Sequence, residues 1–301
     1  MDRFEAMRTF LAAVDGGSLS AASRALRIPL PTVSRRVSDL ESHLRAQLVI
    51  RTSRRLLVTD VGRAYAATCR QILDELDDAE RLAAGEYRVP RGDLLITAPV
   101  MFGRLHVEPV VLAFLKAYPD INIRMVLADY MIDLVENRID LAVRIGQLED
   151  SGLVAARIGS VRWVTCASPD YLADRGVPEQ LDDLERHDCI AFEGPYSNRG
   201  WDFMEDNVVR NIAIRPRFSV NSATGTIDAA LNGAGVVRVL SYQAAEAIAA
   251  GKLVPVLNAF QMAPQPVHLI HGGQPILPLK LRAFLDYASP RLKTRLAAIG
   301  H

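Results

Sequence analysis

The sequence predicts an α/β protein with a small helical module at its amino terminus, one long helix, and a larger body of alternating strands and helices. Three observations support this class. Apolar residues recur at steps of three and four through most of residues 1–88, as they do along one face of a helix. After that, short apolar runs alternate with helical segments, which is typical of parallel crossovers in an α/β sheet. Half of the 301 residues are hydrophobic, which is enough to bury a core and fits about two domains of ~150 residues.

Three short helices are predicted at the amino terminus. The first covers residues 4–14 and ends at Gly16. Ser18 is the expected N-cap of the second, because its hydroxyl can accept a bond from a backbone N–H of the first turn. The third cannot begin much before Leu30, since a residue that precedes proline avoids helical angles. Pro31 is acceptable in its first turn.

The third helix should bury one stripe and turn a polar face outward. At about 100° per residue, four apolar side chains fall on one side of it, namely Val33, Val37, Leu40 and Leu44. The opposite face and its flanks carry Pro31, Ser34, Arg35, Arg36 and Ser38. Two short helices, a tight turn and a third helix with small polar and arginine residues outward are typical of a DNA-binding helix-turn-helix.

A two-stranded wing is predicted next. Residues 47–60 alternate apolar and polar side chains around Thr52, which places Arg51 and Arg54 near the tip. Residues 24–55 contain eight arginines and two acidic residues, a net charge of +6, although the whole chain has a formal net charge of zero. A basic front end on a neutral chain indicates contact with phosphate. The alternative interpretation is that this arginine-rich stretch is only a solvated face.

A long helix should follow over residues 60–88, with Thr59 as its cap and Asp60 in its first turn. Its stripe repeats at steps of three and four and consists of Val61, Tyr65, Thr68, Ile72, Leu76, Ala79 and Ala83. We expect this stripe to face another copy of the chain, because no core lies in its own sequence neighbourhood. The alternative, packing on its own winged module, should account for the first turns only.

The remaining chain is predicted to alternate strands with helices. The strands are LLITA, INIRMVLA, DLAVRI, RWVTCAS, DCIAF, GVVRVL and PVHLIHG. The helices cover residues 102–117, 130–137 and 222–232, and a last one begins near residue 279. The pattern restarts at RWVTCAS, and strands that alternate with helices predict parallel crossovers in an α/β sheet.

The sequence argues against an enzyme and against a metal site. It contains no Gly-x-Ser-x-Gly elbow, no phosphate-binding loop and no His-Glu-x-x-His. His268 and His271 lie three residues apart on a predicted strand, so their side chains should point to opposite faces and not share a metal. Cys166 and Cys189 lie in apolar strands and are interpreted as buried, inert thiols. We therefore expect no catalytic residues, no metal and no cofactor.

The front of the chain, residues 21–65, resembles the DNA-binding segment of LysR-type transcriptional regulators. The matching residues are Ala21-Ala22, Thr32-Val33-Ser34-Arg35-Arg36, Leu40-Glu41, Leu48, Arg51-Thr52, and Leu57 to Gly62. The sequence departs from the family at Arg27 and Ala46, where glycine is usual, and at Leu30, where the family has a glutamine that often reads a base edge. Together the helix face and the resemblance imply DNA contacts by Ser18, Pro31, Thr32, Ser34, Arg35, Arg36, Ser38, Arg51, Thr52 and Arg54.

The rest of the chain is similar to the effector-binding domain of the same family. The matching runs are LAFLKAYPDINIRMVLAD, LVENRIDLAVRIG, CASPDYLADRG, HDCIAF, NGAGVVRVLSY and AAGKLVPVL. That domain resembles a periplasmic binding protein, in which two α/β lobes joined by crossing strands enclose a ligand cleft. The implied segments are a DNA-binding domain over 1–59, a linker and dimerisation helix over 60–88, and an effector-binding domain over 89–301. Its lobes would be about 92–162 plus 266–301, and about 163–265.

The resemblance implies an effector site between those lobes, where strand ends and helix N-termini converge. Carried over by position, its candidates are Ala98, Pro99, Val100, Met101, Arg144, Phe192, Trp201, Asn221, Ser222 and Thr224. Relatives often have Ser or Thr where Pro99 or Val100 stands, so an effector carboxylate would depend on backbone amides or on Arg144. The alternatives are a structural ion pair for Arg144 and helix capping for Asn221 and Ser222.

These observations favour a regulator that binds double-stranded DNA as a homodimer or homotetramer and responds to a small-molecule effector. The first residues carry charge and offer no secretory apolar region, and the longest apolar runs are shorter than the ~18 residues of a membrane span, so we expect a cytoplasmic protein without membrane contact. The alternative is a small-molecule-binding or catalytic α/β protein whose amino-terminal helices mediate protein contacts. Such a protein has no need of the arginine-rich third helix and wing.

Overall fold

The computed structural model describes residues 2–51, 56–83, 89–148, 152–194, 200–273 and 277–299. The chain separates into two compact units, Met1–Arg88 and Val89–His301. The first unit contains α1 (Arg3–Asp15), α2 (Leu19–Leu26), α3 (Leu30–Leu44), β1 (Val49–Arg51), β2 (Leu56–Val58) and α4 (Asp60–Ala83). The three short helices, the two wing strands and the long helix predicted from the sequence are thus confirmed.

Local caps explain where these helices begin. The Ser18 hydroxyl accepts a hydrogen bond of 3.1 Å from the Ala21 N–H, as its sequence position predicts. The Thr59 hydroxyl likewise accepts a bond of 2.9 Å from the Gly62 N–H at the start of α4. The helix α3 begins at Leu30, directly after Pro29 in extended conformation.

A shared core holds the wing against the helices. Phe10, Val37, Leu40 and Leu48 are fully buried in one cluster. The carboxylate of Glu41 on α3 accepts hydrogen bonds from two backbone N–H groups at the start of the wing, at 2.8 and 3.0 Å. The strands β1 and β2 then pair antiparallel. The position of α3 relative to the wing is therefore fixed both by apolar packing and by the two hydrogen bonds to Glu41.

The long helix α4 packs on α1 further along its length than the sequence suggests. Ala66, Cys69 and Leu73 are buried, and the carboxylate of Asp77 accepts a 2.6 Å hydrogen bond from Arg8 of α1. The expectation that only the first turns contact the unit itself is therefore wrong. The reason is that the buried face follows Ala66, Cys69 and Leu73, each next to a residue of the predicted stripe.

The second unit contains the elements of an α/β protein. The first stretch consists of β3 (Gly92–Ala98), α5 (Val100–Phe102), a π-helical turn (Gly103–Val107), α6 (Glu108–Ala117), β4 (Ile121–Leu127), β5 (Leu141–Ile145) and β6 (Leu153–Val161). The middle stretch consists of β7 (Trp163–Ala167), α7 (Pro169–Arg175), a 3-10 helix (Leu181–Arg186), β8 (Cys189–Phe192), β9 (Gly200–Glu205), β10 (Val208–Ala213), β11 (Pro216–Val220), α8 (Ala223–Leu231), β12 (Val236–Leu240), α9 (Ser241–Ala249), β13 (Val254–Val256) and a second 3-10 helix (Asn258–Phe260). The last stretch consists of β14 (Gln265–Gly272) and α10 (Leu279–Ile299).

Two five-stranded sheets organise this unit into two lobes. The first sheet has the order β4–β3–β5–β14–β6 and the second the order β11–β8–β12–β7–β13. Both sheets are mixed, because β14 runs antiparallel to β5 and β6, and β7 runs antiparallel to β12 and β13. The chain enters the second sheet between β6 and β7 and returns between β13 and β14. The predicted two-lobed α/β class is confirmed.

Not every predicted element forms. Residues 130–137 are turns and bends instead of the predicted helix. The Asp133 carboxylate accepts a hydrogen bond from the Glu136 N–H at 2.8 Å, and Arg138 adopts a left-handed φ of 53°. Local side-chain bonds of this kind compete with helical ones. Five strands were not predicted, namely β6, β9, β10, β11 and β13, and most of their residues are exposed or half-exposed.

Candidate DNA-binding surface and effector cleft

Helix α3 presents the face that the sequence predicts for DNA. Val33, Val37 and Leu40 are fully buried, whereas Pro31 and Arg35 are exposed. Three further candidates on this helix are half-buried at the edge of the face, namely Thr32, Ser34 and Ser38. The helix therefore offers a narrow exposed ridge centred on Arg35, bordered by small polar side chains.

The two neighbouring arginines of α3 differ in their partners. Arg36 forms a salt bridge with Glu5 of α1, so its guanidinium is held against the helix bundle. Arg35 forms no hydrogen bond or salt bridge with any residue in the described part of the chain. All donors of Arg35 are thus available, and those of Arg36 are shared with Glu5.

The remaining predicted contacts are placed as follows. Ser18 lies at the N-terminus of α2, where its hydroxyl serves as the cap. Arg51 ends strand β1, and Thr52 and Arg54 lie outside the described residues. Two residues outside the list of predicted DNA contacts are also exposed, namely Arg24 on α2 and Leu30 at the start of α3, which is 42% exposed. The exposure of Leu30 follows from its place outside the Val33–Leu40 stripe.

A cavity of about 650 Å³ lies between the two lobes of the second unit. Both sheets contribute to its walls. Five of the predicted effector residues line it, namely Ala98, Pro99, Arg144, Phe192 and Trp201. A volume in this range is typical of small-molecule sites, so the cleft implied by the family resemblance is present as a real cavity.

The other five predicted effector residues do not line the cavity. Met101 is buried in the core of the first lobe, while Val100, Asn221 and Thr224 are exposed. The Ser222 hydroxyl accepts a hydrogen bond of 3.2 Å from the Gly225 N–H and so caps α8. Since helical residues three apart share a face, it is Ala223 and Thr226 that reach the cavity.

Arg144 lines the cavity but is bound to its own loop. Its guanidinium donates a 2.6 Å hydrogen bond to the Ile132 carbonyl and contacts the sulfur of Met131. Burial lowers the pKa of Arg144, and the nearby carboxylate of Asp133 partly opposes that effect. In the structure Arg144 therefore holds residues 131–132 in place through its hydrogen bond to the Ile132 carbonyl. The alternative considered from the sequence was a structural ion pair, and the structure shows this carbonyl contact in its place.

A second arginine of the cavity was missed by the sequence analysis. Arg238 is only 9% exposed, in the middle of β12. Its guanidinium carbon lies 4.3 Å from the Phe203 ring centroid and 5.5 Å from that of Trp163. Burial lowers the pKa of Arg238 to about 10, against the attraction of Asp202. The signal in the sequence was the single charged residue within the apolar run VVRVL.

No group of side chains suited to metal binding occurs among the described residues. Cys166 and Cys189 are buried, and burial raises the pKa of each thiol to about 12. The predicted burial of both thiols is confirmed, and burial disfavours their reactive thiolate forms. Among the helices that the structure describes, none is long and apolar enough to span a bilayer.

Comparisons with known proteins agree with this geometry. Residues 4–63 match the bacterial regulatory helix-turn-helix protein family of lysR type, and residues 88–293 match the LysR substrate binding domain family. The chain is 32% identical over 294 residues to the transcriptional regulator CrgA of Neisseria meningitidis serogroup B, covering 97% of this chain and 98% of CrgA. It is 33% identical over 296 residues to a transcriptional repressor of Pseudomonas aeruginosa strain UCBPP-PA14, covering 95% of this chain and 91% of the repressor.

Solved structures show the same likeness. The structure of CrgA superposes with a TM-score of 0.62 at 31% identity, covering 96% of this chain and 98% of that one. The full-length virulence activator AphB of Vibrio cholerae superposes with a TM-score of 0.61 at 27% identity, covering 96% and 98%. The chain therefore shares its fold with these two solved regulators. The chain belongs to the family of LysR-type transcriptional regulators, which are DNA-binding, effector-responsive proteins and not enzymes.

Proposed function

We propose that this regulator reads operator DNA with the exposed face of α3, and that an effector in the cavity between the lobes controls that binding. The observation that carries the proposal is the contrast between Arg35 and Arg36. Arg35 is exposed with its donors available among the described residues, and Arg36 is paired with Glu5. A recognition helix needs an arginine of the first kind, because bidentate bonds to guanine use the planar guanidinium edge.

The other candidates have supporting roles in this proposal. Ser18 at the start of α2 and Thr32 in the first turn of α3 lie where backbone N–H groups and hydroxyls contact phosphate. Arg51, Thr52 and Arg54 would contact phosphate from the wing. Ser34, Ser38 and Pro31 would pack along the same groove as Arg35. Phosphate contacts set the position of the protein on the duplex, and base contacts set the sequence.

We further propose that the active form is a homodimer or homotetramer. The copies would be joined by the face of α4 that does not pack on α1. Ile72 and Leu76 are half-buried in the single chain, which leaves apolar surface for a second copy. The functional segments would then be 1–59 for DNA, 60–88 for assembly and 89–301 for the effector. A protein that binds chromosomal operators acts in the cytoplasm.

Effector control would follow from the two-lobed construction. A ligand that touches both sheets favours one angle between the lobes over another, and it changes DNA binding only by its difference in affinity for the two arrangements. A coupling of about 1–3 kcal/mol suffices for a regulatory response.

Selection of duplexes from a random-sequence DNA pool by the full-length protein tests this function. We expect enrichment of a recurring sequence with two related half-sites, as for other dimeric helix-turn-helix proteins. The control is a variant with Arg186→Ala, an exposed arginine of the second unit, which should enrich the same sequence. Recovery of the pool without any enriched sequence would contradict the proposed function.

A further inference from the structure

We propose that Arg238 is the anion anchor of the cavity, and that the effector is an organic acid with one carboxylate and a flat apolar body. This inference rests on the proposed function of the cavity as the effector site. It also differs from the sequence-based expectation, which assigned the carboxylate to backbone amides or Arg144.

The strand β12 holds Arg238 at the wall of the cavity. Its neighbours Val237 and Val239 are buried in the core of the second lobe, and the backbone of Arg238 pairs with Thr165 of β7. The ring centroids of Phe203 and Trp163 lie 4.3 and 5.5 Å from its guanidinium carbon. Aromatic rings that contact the guanidinium face fix its plane and leave its N–H edge for a planar anion such as carboxylate.

The donors of Arg238 lack a partner in the part of the chain that the structure describes. Arg238 forms no hydrogen bond and no salt bridge with any of those residues. The charge of the Asp202 carboxylate raises the pKa of Arg238, but the hydrogen bond that this carboxylate accepts, at 2.6 Å, comes from Asn211. A charge that is nine-tenths buried is unfavourable without a paired anion, so a ligand carboxylate would complete the site.

Arg144 cannot take this role without giving up its present contacts. Its guanidinium donates to the Ile132 carbonyl and touches the Met131 sulfur. Those contacts shape the cavity wall at residues 131–132. Arg144 is therefore assigned as a positioning residue, and it provides a matched control for Arg238 because both are arginines that line the same cavity.

The rest of the wall selects the body of the ligand. Trp163, Trp201 and Phe192 line the cavity and offer flat apolar surfaces for stacking. Asp129 and Asp202 are also among the lining residues, so a second carboxylate on the ligand would lie close to like charge. One acid group on an aromatic or similarly flat body fits this combination.

The test uses the fluorescence of the tryptophans, because the two tryptophans of the chain are Trp163 and Trp201 and both line the cavity. Full-length protein is titrated with hydrocinnamate, with its uncharged amide hydrocinnamamide, and with the cationic hydrocinnamylamine. The variants are Arg238→Gln, Arg238→Lys and, as the control, Arg144→Gln. Thermal unfolding and affinity for selected DNA verify that each variant is folded.

The wild type should bind hydrocinnamate more tightly than the amide or the amine. In Arg238→Gln the affinity for hydrocinnamate should fall by about thirtyfold or more, the loss expected when a desolvated charge pair is broken, and the affinity for the amide should not change. Arg238→Lys should keep part of the preference for the acid, and Arg144→Gln should keep the preference itself. Should Arg238→Gln fail to fold, a reduced acid-to-amide ratio in Arg238→Lys is the deciding result.

Several outcomes would overturn the assignment. The first is that the wild type binds none of the three probes, and the second is that it binds the amine more tightly than the acid. The third is that Arg238→Gln keeps the preference for the acid. The fourth is that Arg144→Gln loses this preference to the same extent as Arg238→Gln. Each of them leaves the selection of operator DNA untouched. Conversely, a failure to enrich DNA would contradict the proposed function whatever the titrations show.

Discussion

The turn between α2 and α3 places a residue other than glycine in the left-handed region. Arg27 caps α2 at φ 55° and ψ 39°, and the next N–H, of Ile28, donates to the Ser23 carbonyl at 3.2 Å. This is a common way to end a helix, and glycine is its usual residue because a β-carbon makes the conformation unfavourable by about 1–2 kcal/mol. The glycine that the family resemblance implies at this turn would relieve that local strain.

We predict that Arg27→Gly stabilises the protein by about 0.5–1 kcal/mol, because relief of the left-handed strain exceeds the added flexibility of glycine in the unfolded chain. Urea unfolding followed by circular dichroism measures the change. The matched control is Arg24→Gly, which removes the same charge from inside α2 and should destabilise by about 1 kcal/mol. A lower unfolding midpoint for Arg27→Gly than for wild type would contradict this account.

At the residue scale, the sequence predicts those features that depend on residues close together in the chain. The cap at Ser18 and the buried stripe of α3 follow from helical spacing alone. The pairing of Arg36 with Glu5 joins two different helices, so no local pattern announces it. The choice of Ala223 over Thr224 at the cavity depends on where α8 sits on its sheet, and the position of Arg238 depends on the strands beside β12.

At the scale of elements, α4 packs on α1 with one face and leaves part of a second apolar face exposed in the single chain. One face packs on α1 through Ala66, Cys69 and Leu73, and the half-buried Ile72 and Leu76 lie beside it. The sequence predicts the helix and its cap because both are local. It does not separate the two faces, because small residues on α4 are equally suited to contact with the same chain and with a partner.

Replacing Leu76 by Glu should dissociate the proposed oligomer. The substitution would place an unpaired carboxylate in an apolar contact, which is unfavourable by about 3 kcal/mol or more. Size-exclusion chromatography with light scattering gives the mass of each variant. Ala64→Glu, at an exposed position of the same helix, is the control and should keep the wild-type mass. An unchanged mass for Leu76→Glu would remove α4 from the interface.

The sequence did not predict the correct secondary structure for segments whose apolar residues show no clear helical or strand periodicity. Residues 130–137 have helical composition, yet Asp133 and Arg138 close turns there. The strand β6 exposes four of its nine residues and shows no regular alternation that would mark it. Such elements are stabilised by their neighbours in the sheet, and those neighbours are distant in sequence.

At the scale of the whole molecule, the second unit encloses a cavity to which both lobes contribute side chains. Ala98 and Arg144 come from the first sheet, and Phe192 and Arg238 from the second. A ligand that contacts both lobes can therefore bias their arrangement. The α/β class was predictable because strands alternate with helices along the chain, whereas the division into two lobes came from the family resemblance. Of the ten effector residues predicted from the sequence, five line the cavity.

Filling the cavity should block the ligand. Ala191 is half-buried on β8 and lines the cavity, so Ala191→Phe should weaken binding of hydrocinnamate by about tenfold or more, equivalent to ~1.4 kcal/mol of steric overlap. Binding to selected DNA without ligand should not change. Thr224→Phe, exposed on α8, is the control and should bind like wild type. Equal loss in both variants would place the ligand elsewhere.

The central claim is that α3 reads DNA sequence through Arg35, and fluorescence anisotropy of labelled duplexes tests it most directly. Wild-type protein and the Arg35→Ala variant are titrated with the selected operator and with a scrambled duplex of equal length and composition. We predict that Arg35→Ala loses about 1–3 kcal/mol of affinity for the operator, some five- to 150-fold, and changes little on the scrambled duplex. An unchanged operator affinity, or an equal loss on both duplexes, would contradict base readout by Arg35.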